Sequence, residues 1–212
     1  MHTFLGRIAW IALLALACAT ARAQPVAGRE YQVLNPAHPV SSGARIEVIE
    51  FFYYGCPICY ETQPHLSRWL QRGGADVFLW RVPVVSSEGW EPFARTFYTL
   101  DALGVLARLH WPVYDNHHFD GKRLNEEKNV ADWVASNGVD RARFEQIWNS
   151  PEIKAKVDTA HKMQEAYDVH GVPTFVVDGK YATSARMAGG VKEMISVLDY
   201  LVGRVRDERV KK

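Results

Sequence analysis

Two cysteines separated by two residues, Cys56-Pro57-Ile58-Cys59, carry the strongest chemical signal in the chain. A thiol pair at this spacing can close a disulfide and reopen it, and the thiolate is the form that reacts. The residues before the pair, Ile46-Glu47-Val48-Ile49-Glu50-Phe51-Phe52, are β-branched and aromatic, which is the composition of a buried strand. Gly55 breaks that run, and helical spacing follows the cysteines. The pair therefore sits where a strand hands over to a helix. Cys56 falls at or just before the first turn and Pro57 near the first helical position, where a missing N–H does no harm. Unpaired N–H groups and the partial positive charge at a helix start stabilise an anion. Cys56 is expected to be the low-pKa, attacking thiol, and Cys59, one turn further in, the shielded resolving thiol.

The N-terminus changes the meaning of the cysteine count. Arg7 is followed by an apolar stretch, Ile8 to Ala19, too short for an ordinary transmembrane helix, and Ala21-Arg22-Ala23 has a small-x-small pattern. This reads as a secretory signal peptide, residues 1–23, cut after Ala23. Lipid attachment at Cys18 is the rival, weakened because Ala15 stands three positions before it. Of the three cysteines, Cys18 leaves with the leader. An exported chain with one remaining cysteine pair is not a disulfide scaffold. Loss of Arg7 and Arg22 moves the formal net charge from +1 to −1, and neither balance suggests nucleic acid. About 189 residues remain, enough for one buried core with a sizeable insertion.

The elements that must position the pair follow in order. Gln24 to Ser42 reads as an extended lead-in with an edge strand at Tyr31–Leu34. The helix after Cys56 carries Leu66, Trp69 and Leu70 inward, contains Pro64, and ends at Gly73-Gly74. Residues 76–84 form a second strong strand, which implies a parallel pair. Helices are expected over Trp90–Leu103, Val105–His117, Asn125–Asn137 with Asn125 as cap, Asp140–Trp148, and Ser150 to about Tyr167. The β pattern resumes at Val172–Val177, turns at Asp178-Gly179, and a last amphipathic helix runs to about Val205, followed by a charged tail expected to fray. The fold class is α/β. The expected division is residues 24–85 and 169–212 in one α/β domain, with residues 86–168 as an inserted helical domain. Glu50, which interrupts the strand's apolar run, is either an exposed position on an alternating strand or a buried carboxylate beneath the cysteines, able to take the proton of Cys59.

Glu-Phe-Phe closing a strand, C-P-x-C at the next helix start, a helical insertion, and Gly-Val-Pro-Thr-Phe-Val-Val-Asp-Gly-Lys at 171–180 together resemble the DsbA family of periplasmic thiol:disulfide oxidoreductases. The resemblance covers nearly all of the chain after the leader. It implies a thioredoxin-like fold with an inserted all-helical domain. It also implies a periplasmic enzyme that introduces disulfides into unfolded exported polypeptides and is reoxidised by a DsbB-like membrane protein, with no cofactor, and working as a monomer. Residue by residue, Cys56 matches the exposed reactive cysteine, Cys59 its buried partner in a redox-active disulfide, and Glu50 the acidic residue below the site. Pro173 matches the proline that is cis throughout the superfamily, and the backbone of Val172 the segment that pairs with an extended substrate. Tyr53 and Tyr54 either line the groove for that substrate or belong to the core. The dipeptide Pro57-Ile58 departs from the family, which usually has His where Ile58 stands, and a milder oxidant is expected. The basic residue that some relatives place near the buried acid is not evident, because the neighbours of Arg81 suggest a different face.

Other classes remain open at this point. A reductase or isomerase on the same fold shares the motif, and a peptide-binding chaperone could carry a vestigial pair. Metal binding is disfavoured, because His110, His117, His118, His161 and His170 show no spacing that fits Cys56 and Cys59, and one C-x-x-C supplies only two of zinc's four ligands. His117-His118 reads as a solvated helix end.

Overall fold

A computed structural model describes residues 24–211, so the leader assigned to Met1–Ala23, with Cys18, lies outside the described residues. Five strands form one sheet: β1 (Gln32–Val33), β2 (Ile46–Phe52), β3 (Val77–Pro83), β4 (Thr174–Val177) and β5 (Tyr181–Ser184). Their order is β1-β5-β4-β2-β3. β2 runs parallel to β3 and antiparallel to β4, so its seven residues are buried from both sides. This is why β2 is mostly β-branched and aromatic, with its two carboxylates, Glu47 and Glu50, buried as well.

The helices are α1 (Pro57–Gly73), α2 (Glu91–Ala102), α3 (Leu106–His118), α4 (Glu127–Ser136), α5 (Arg141–Trp148), α6 (Pro151–Ala166), α7 (Ala185–Ala188) and α8 (Val191–Val210). Alternation along β2 divides its contacts. Ile46 and Val48 pack with Leu66 and Trp69 of α1 and with Met194, Leu198 and Leu201 of α8. Ile49 and Phe51 face the other way, onto Ala160 and Met163 of α6. Phe52, Tyr54 and Cys59 belong to a third cluster, which continues into Phe93 and Phe97 of α2, Val113 of α3, Trp133 of α4 and Phe144 of α5. The cysteine pair thus sits at the junction of the sheet with helices α2–α5.

Local signals place most boundaries. Ser150 caps α6 by accepting from Ile153 N at 3.3 Å, with Pro151 in the first turn. Asp140 caps α5 by accepting from Arg143 N at 2.6 Å. The expected Asn125 cap is corrected: α4 starts at Glu127 after an extended Glu126, and no side chain caps it. The carboxylate of Glu126 is instead engaged by Asn129 Nδ2 at 3.0 Å.

The fraying tail is also corrected. α8 continues to Val210, and its last turns are tied to the body of the protein. Arg206 donates to both carboxylate oxygens of Asp76, at 2.8 and 2.6 Å, and to Gly73 O at 2.6 Å. Arg209 reaches the buried Asp178 at 2.6 Å, and Glu208 accepts from Tyr181 Oη at 2.5 Å. Deleting residues 206–212 is expected to cost about 2 kcal/mol, lowering the thermal midpoint by roughly 4–8 °C in a calorimetric scan. A tail without structural weight would leave the midpoint unchanged.

Candidate active site

Between β2 and α1 the chain makes one tight turn, Tyr53-Tyr54-Gly55-Cys56, closed by Cys56 N donating to Tyr53 O at 3.1 Å. A β-carbon on Gly55 would meet the Tyr53 ring at 2.5 Å, so a side chain there would have to displace that ring. Tyr53 lies flat on Trp90, ring centroids 3.8 Å apart. Tyr54 is fully buried, and its hydroxyl and His110 Nδ1 are 2.7 Å apart.

Cys56 is the N-cap of α1, with extended backbone at φ −88 and ψ 118, and its sulfur accepts from Cys59 N at 3.3 Å. Pro57 follows in the first turn. Hydrogen bonding from the Cys59 thiol, aided by the backbone N–H groups of Cys59 and Ile58, outweighs burial and lowers the Cys56 thiol to about 6. Cys59 is fully buried, and burial together with the hydrogen bond to Cys56 pushes its thiol well above the usual range. Both cysteines are free thiols. Near neutral pH one is therefore mostly ionised and reachable, and the other stays protonated. That is the division of labour an attacking and a resolving thiol require.

The facing wall is the loop before β4. Val172–Pro173 is a cis peptide bond, and the Cys56 thiol lies 3.6 Å from Val172 O. Pro173 is buried and Val172 partly exposed. Ile58 is 41% exposed and presents only carbon to the surface beside the pair.

Glu50 lies beneath the pair and is fully buried. Gln63 Nε2 donates to its Oε1 at 2.7 Å and also lies 3.4 Å from Cys59 O. Arg81 Nε donates to its Oε2 at 2.9 Å. The expectation that Arg81 points elsewhere is corrected: the parallel register sets Glu50 directly opposite Arg81, and opposed residues share a face. The carboxylate is thus a paired, hydrogen-bonded charge, and its field adds to the forces that keep Cys59 protonated.

Sequence reasoning missed the contribution of α3. His110, Tyr114 and His118 recur every four residues and form one stripe facing the cysteine turn. His110 is buried, and burial lowers its imidazole well below the usual range, so it is neutral. His118 is corrected from a solvated helix end to a part-buried partner of Tyr54 O at 2.7 Å. Tyr60, next to Cys59, donates its hydroxyl to Asp115 at 2.9 Å. The spacing of four was the available signal. Among the described residues, no group of three or more His, Cys, Asp or Glu side chains could hold a metal ion.

Comparison with known proteins gives the same picture. A family model described as "DSBA-like thioredoxin domain" matches residues 47–202. Thiol:disulfide interchange protein DsbA of Pseudomonas aeruginosa is 39% identical over 180 residues, covering 85% of each chain. The Burkholderia cepacia protein of the same name is 35% identical over 201 residues, covering 93% of this chain and 95% of its own. The crystal structure of Pseudomonas aeruginosa DsbA superposes with a TM-score of 0.81 at 38% identity, covering 89% of this chain and 97% of the other.

Proposed function

Because the chain belongs to the DSBA-like thioredoxin family and is a thiol:disulfide oxidoreductase, we propose that it runs in the oxidising direction, giving the Cys56–Cys59 disulfide to exported polypeptides. The observation that carries this reading is the placement of the Cys56 sulfur at the N-cap of α1, where its thiolate is stabilised and the reduced enzyme is favoured. A substrate thiolate attacks Cys56 Sγ, and the electron pair of the broken S–S bond leaves on Cys59 Sγ, which takes up a proton. A second substrate thiolate then attacks the substrate sulfur of the mixed disulfide, and Cys56 leaves as thiolate. The substrate gains a disulfide and the enzyme holds two more electrons as the dithiol.

Val172 and Pro173 border the approach to Cys56 and are the proposed seat of an extended, unfolded substrate segment. Glu50, held by Gln63 and Arg81, is the proposed acid–base group beneath Cys59. Pro57 and Ile58 set the exposed rim. Membership of the family implies protein substrates and a membrane reoxidant in general. We assign a DsbB-like protein to that role and the periplasm as location, reached through a cleaved leader at residues 1–23. No described helix is long and apolar enough to cross a membrane. We assign a monomer as the working form, and no cofactor is required by this electron flow.

The pH dependence follows from Cys56. Its folded thiol is lowered from 9.0 to about 6, so it contributes stability to the reduced protein that is complete above about pH 9 and lost as pH falls through about 6. At pH 7 that contribution is about 1.4 kcal/mol, an order-of-magnitude figure. The disulfide form has no such dependence. Thiolate ultraviolet absorbance of the reduced protein is expected to fall with a midpoint near 6, and the step is expected to vanish in Cys56→Ser. A midpoint near 9 would refute the helix-cap stabilisation. In oxidative refolding of a reduced, denatured secreted protein, the oxidised enzyme is expected to be consumed stoichiometrically as substrate disulfides form.

A further inference from the structure

The last turn of α3 touches the active-site segment on both sides of the cysteines, and we propose that His118 is a positioning residue for the Cys56 thiolate. The proposal rests on the reading of Cys56 as the reacting thiol. The carbonyl of Tyr54, two residues before Cys56, has His118 Nε2 at 2.7 Å. A carbonyl can only accept, so the imidazole carries its proton on Nε2 and donates. On the far side of the pair, the ring of Tyr60 stacks on the His118 ring with centroids 5.1 Å apart and planes 19° apart. The hydroxyl of Tyr60 is held in turn by Asp115, one helical turn before His118. One imidazole thus contacts both the residue two before Cys56 and the residue just after Cys59.

The turn needs such a brace. Gly55 has no side chain with which to anchor itself, and the side chain of Ile58 offers no donor within the motif. Stabilisation of the thiolate depends on the aim of Cys59 N at Cys56 Sγ, 3.3 Å away. A small rotation of the Tyr53–Cys56 turn swings the sulfur off the helix start, where the N–H groups and the helix dipole act on it. Fixing the Tyr54 carbonyl blocks that rotation. Losing the bond also leaves a part-buried acceptor without its donor, which the turn relieves by moving.

The experiment titrates the thiolate absorbance of the reduced full-length exported chain, with thermal midpoints recorded in parallel. For His118→Ala the Cys56 midpoint is expected to rise by about half a unit or more, roughly a threefold loss of thiolate at fixed pH below the midpoint. His118→Gln places an amide N–H donor within reach of the same carbonyl and is expected to restore most of that shift. His118→Phe keeps a stacking ring without a donor and is expected to behave like His118→Ala. An unchanged midpoint in His118→Ala, a wild-type midpoint in His118→Phe, or no rescue by His118→Gln overturns the proposal. A wild-type protein with no Cys56-dependent step at all would instead overturn the reading of Cys56 on which the proposal stands.

Discussion

Replacing Cys56 with serine is expected to reduce disulfide transfer to the uncatalysed background, a loss of about a thousandfold or more, because the transferable S–S bond itself is gone. Cys59→Ser removes the same bond but leaves the low-pKa thiol in place. Given a substrate that already carries a disulfide, that variant is expected to accumulate mixed disulfides visible on a non-reducing gel: the Cys56 thiolate attacks the substrate S–S bond, a substrate thiolate leaves, and no Cys59 thiol remains to attack Cys56 Sγ and expel the bound substrate. Stability separates these effects from misfolding. Cys56 is a partly exposed cap, so its serine variant keeps a cap oxygen and is expected to stay folded, losing little more than the roughly 1.4 kcal/mol that the thiolate contributes to the reduced parent at pH 7. A Cys56→Ser protein that still oxidised a reduced substrate at the parental rate would remove the pair from the reaction.

The second large effect lies in the ion pair under the site. Glu50 is fully buried, whereas 27% of the Arg81 side chain remains exposed. Arg81→Met leaves a buried carboxylate without its cation, and the cost is expected to be about 3 kcal/mol, towards the lower end of the range for breaking such pairs because Gln63 still donates to it. Urea unfolding at pH 7 measures this. The double replacement Glu50→Gln with Arg81→Met removes the charge that needs compensation. It is expected to recover about 2 kcal/mol of that loss, a coupling of the size seen between directly paired groups. If Arg81→Met cost less than about 1 kcal/mol, the pair would be a solvated contact of the ordinary surface kind. Because the Glu50 charge helps hold Cys59 protonated, Glu50→Gln is also expected to ease ionisation of the buried thiol.

Features with local causes were legible before any coordinates. The glycine break after β2, the cysteine at the helix start and the Ser150-Pro151 opening of α6 are each written within a few consecutive residues. Five helix patterns in a row marked the helical insertion, and the family resemblance added Pro173, which no spacing rule would have singled out. What escaped depends on register and distance. Glu50 and Arg81 are 31 positions apart and meet only because β2 and β3 pair with one specific offset. Arg206 and Arg209 read as part of a charged, fraying tail because their partners, Asp76 and Asp178, lie in remote loops. The His110, Tyr114 and His118 stripe was present as a repeat of four. Its direction is set by how α3 packs on Phe52 and Tyr54, which the repeat alone does not reveal.

The reduction potential of the Cys56–Cys59 pair, equilibrated against glutathione at pH 7, bears most directly on the proposed oxidising role. Stabilising the reduced form is what makes a disulfide a donor, and strong oxidants of this family combine a thiolate pKa of about 3.5 with a potential of about −120 mV. Cys56 at about 6 forgoes part of that stabilisation. The deficit is about 3.4 kcal/mol at pH 7, or roughly 70 mV for two electrons. The expected potential is therefore about −190 mV, that of a moderate disulfide donor. A value at thioredoxin's level, about −270 mV, would contradict the assignment, because a disulfide that stable is formed by the pair rather than given away.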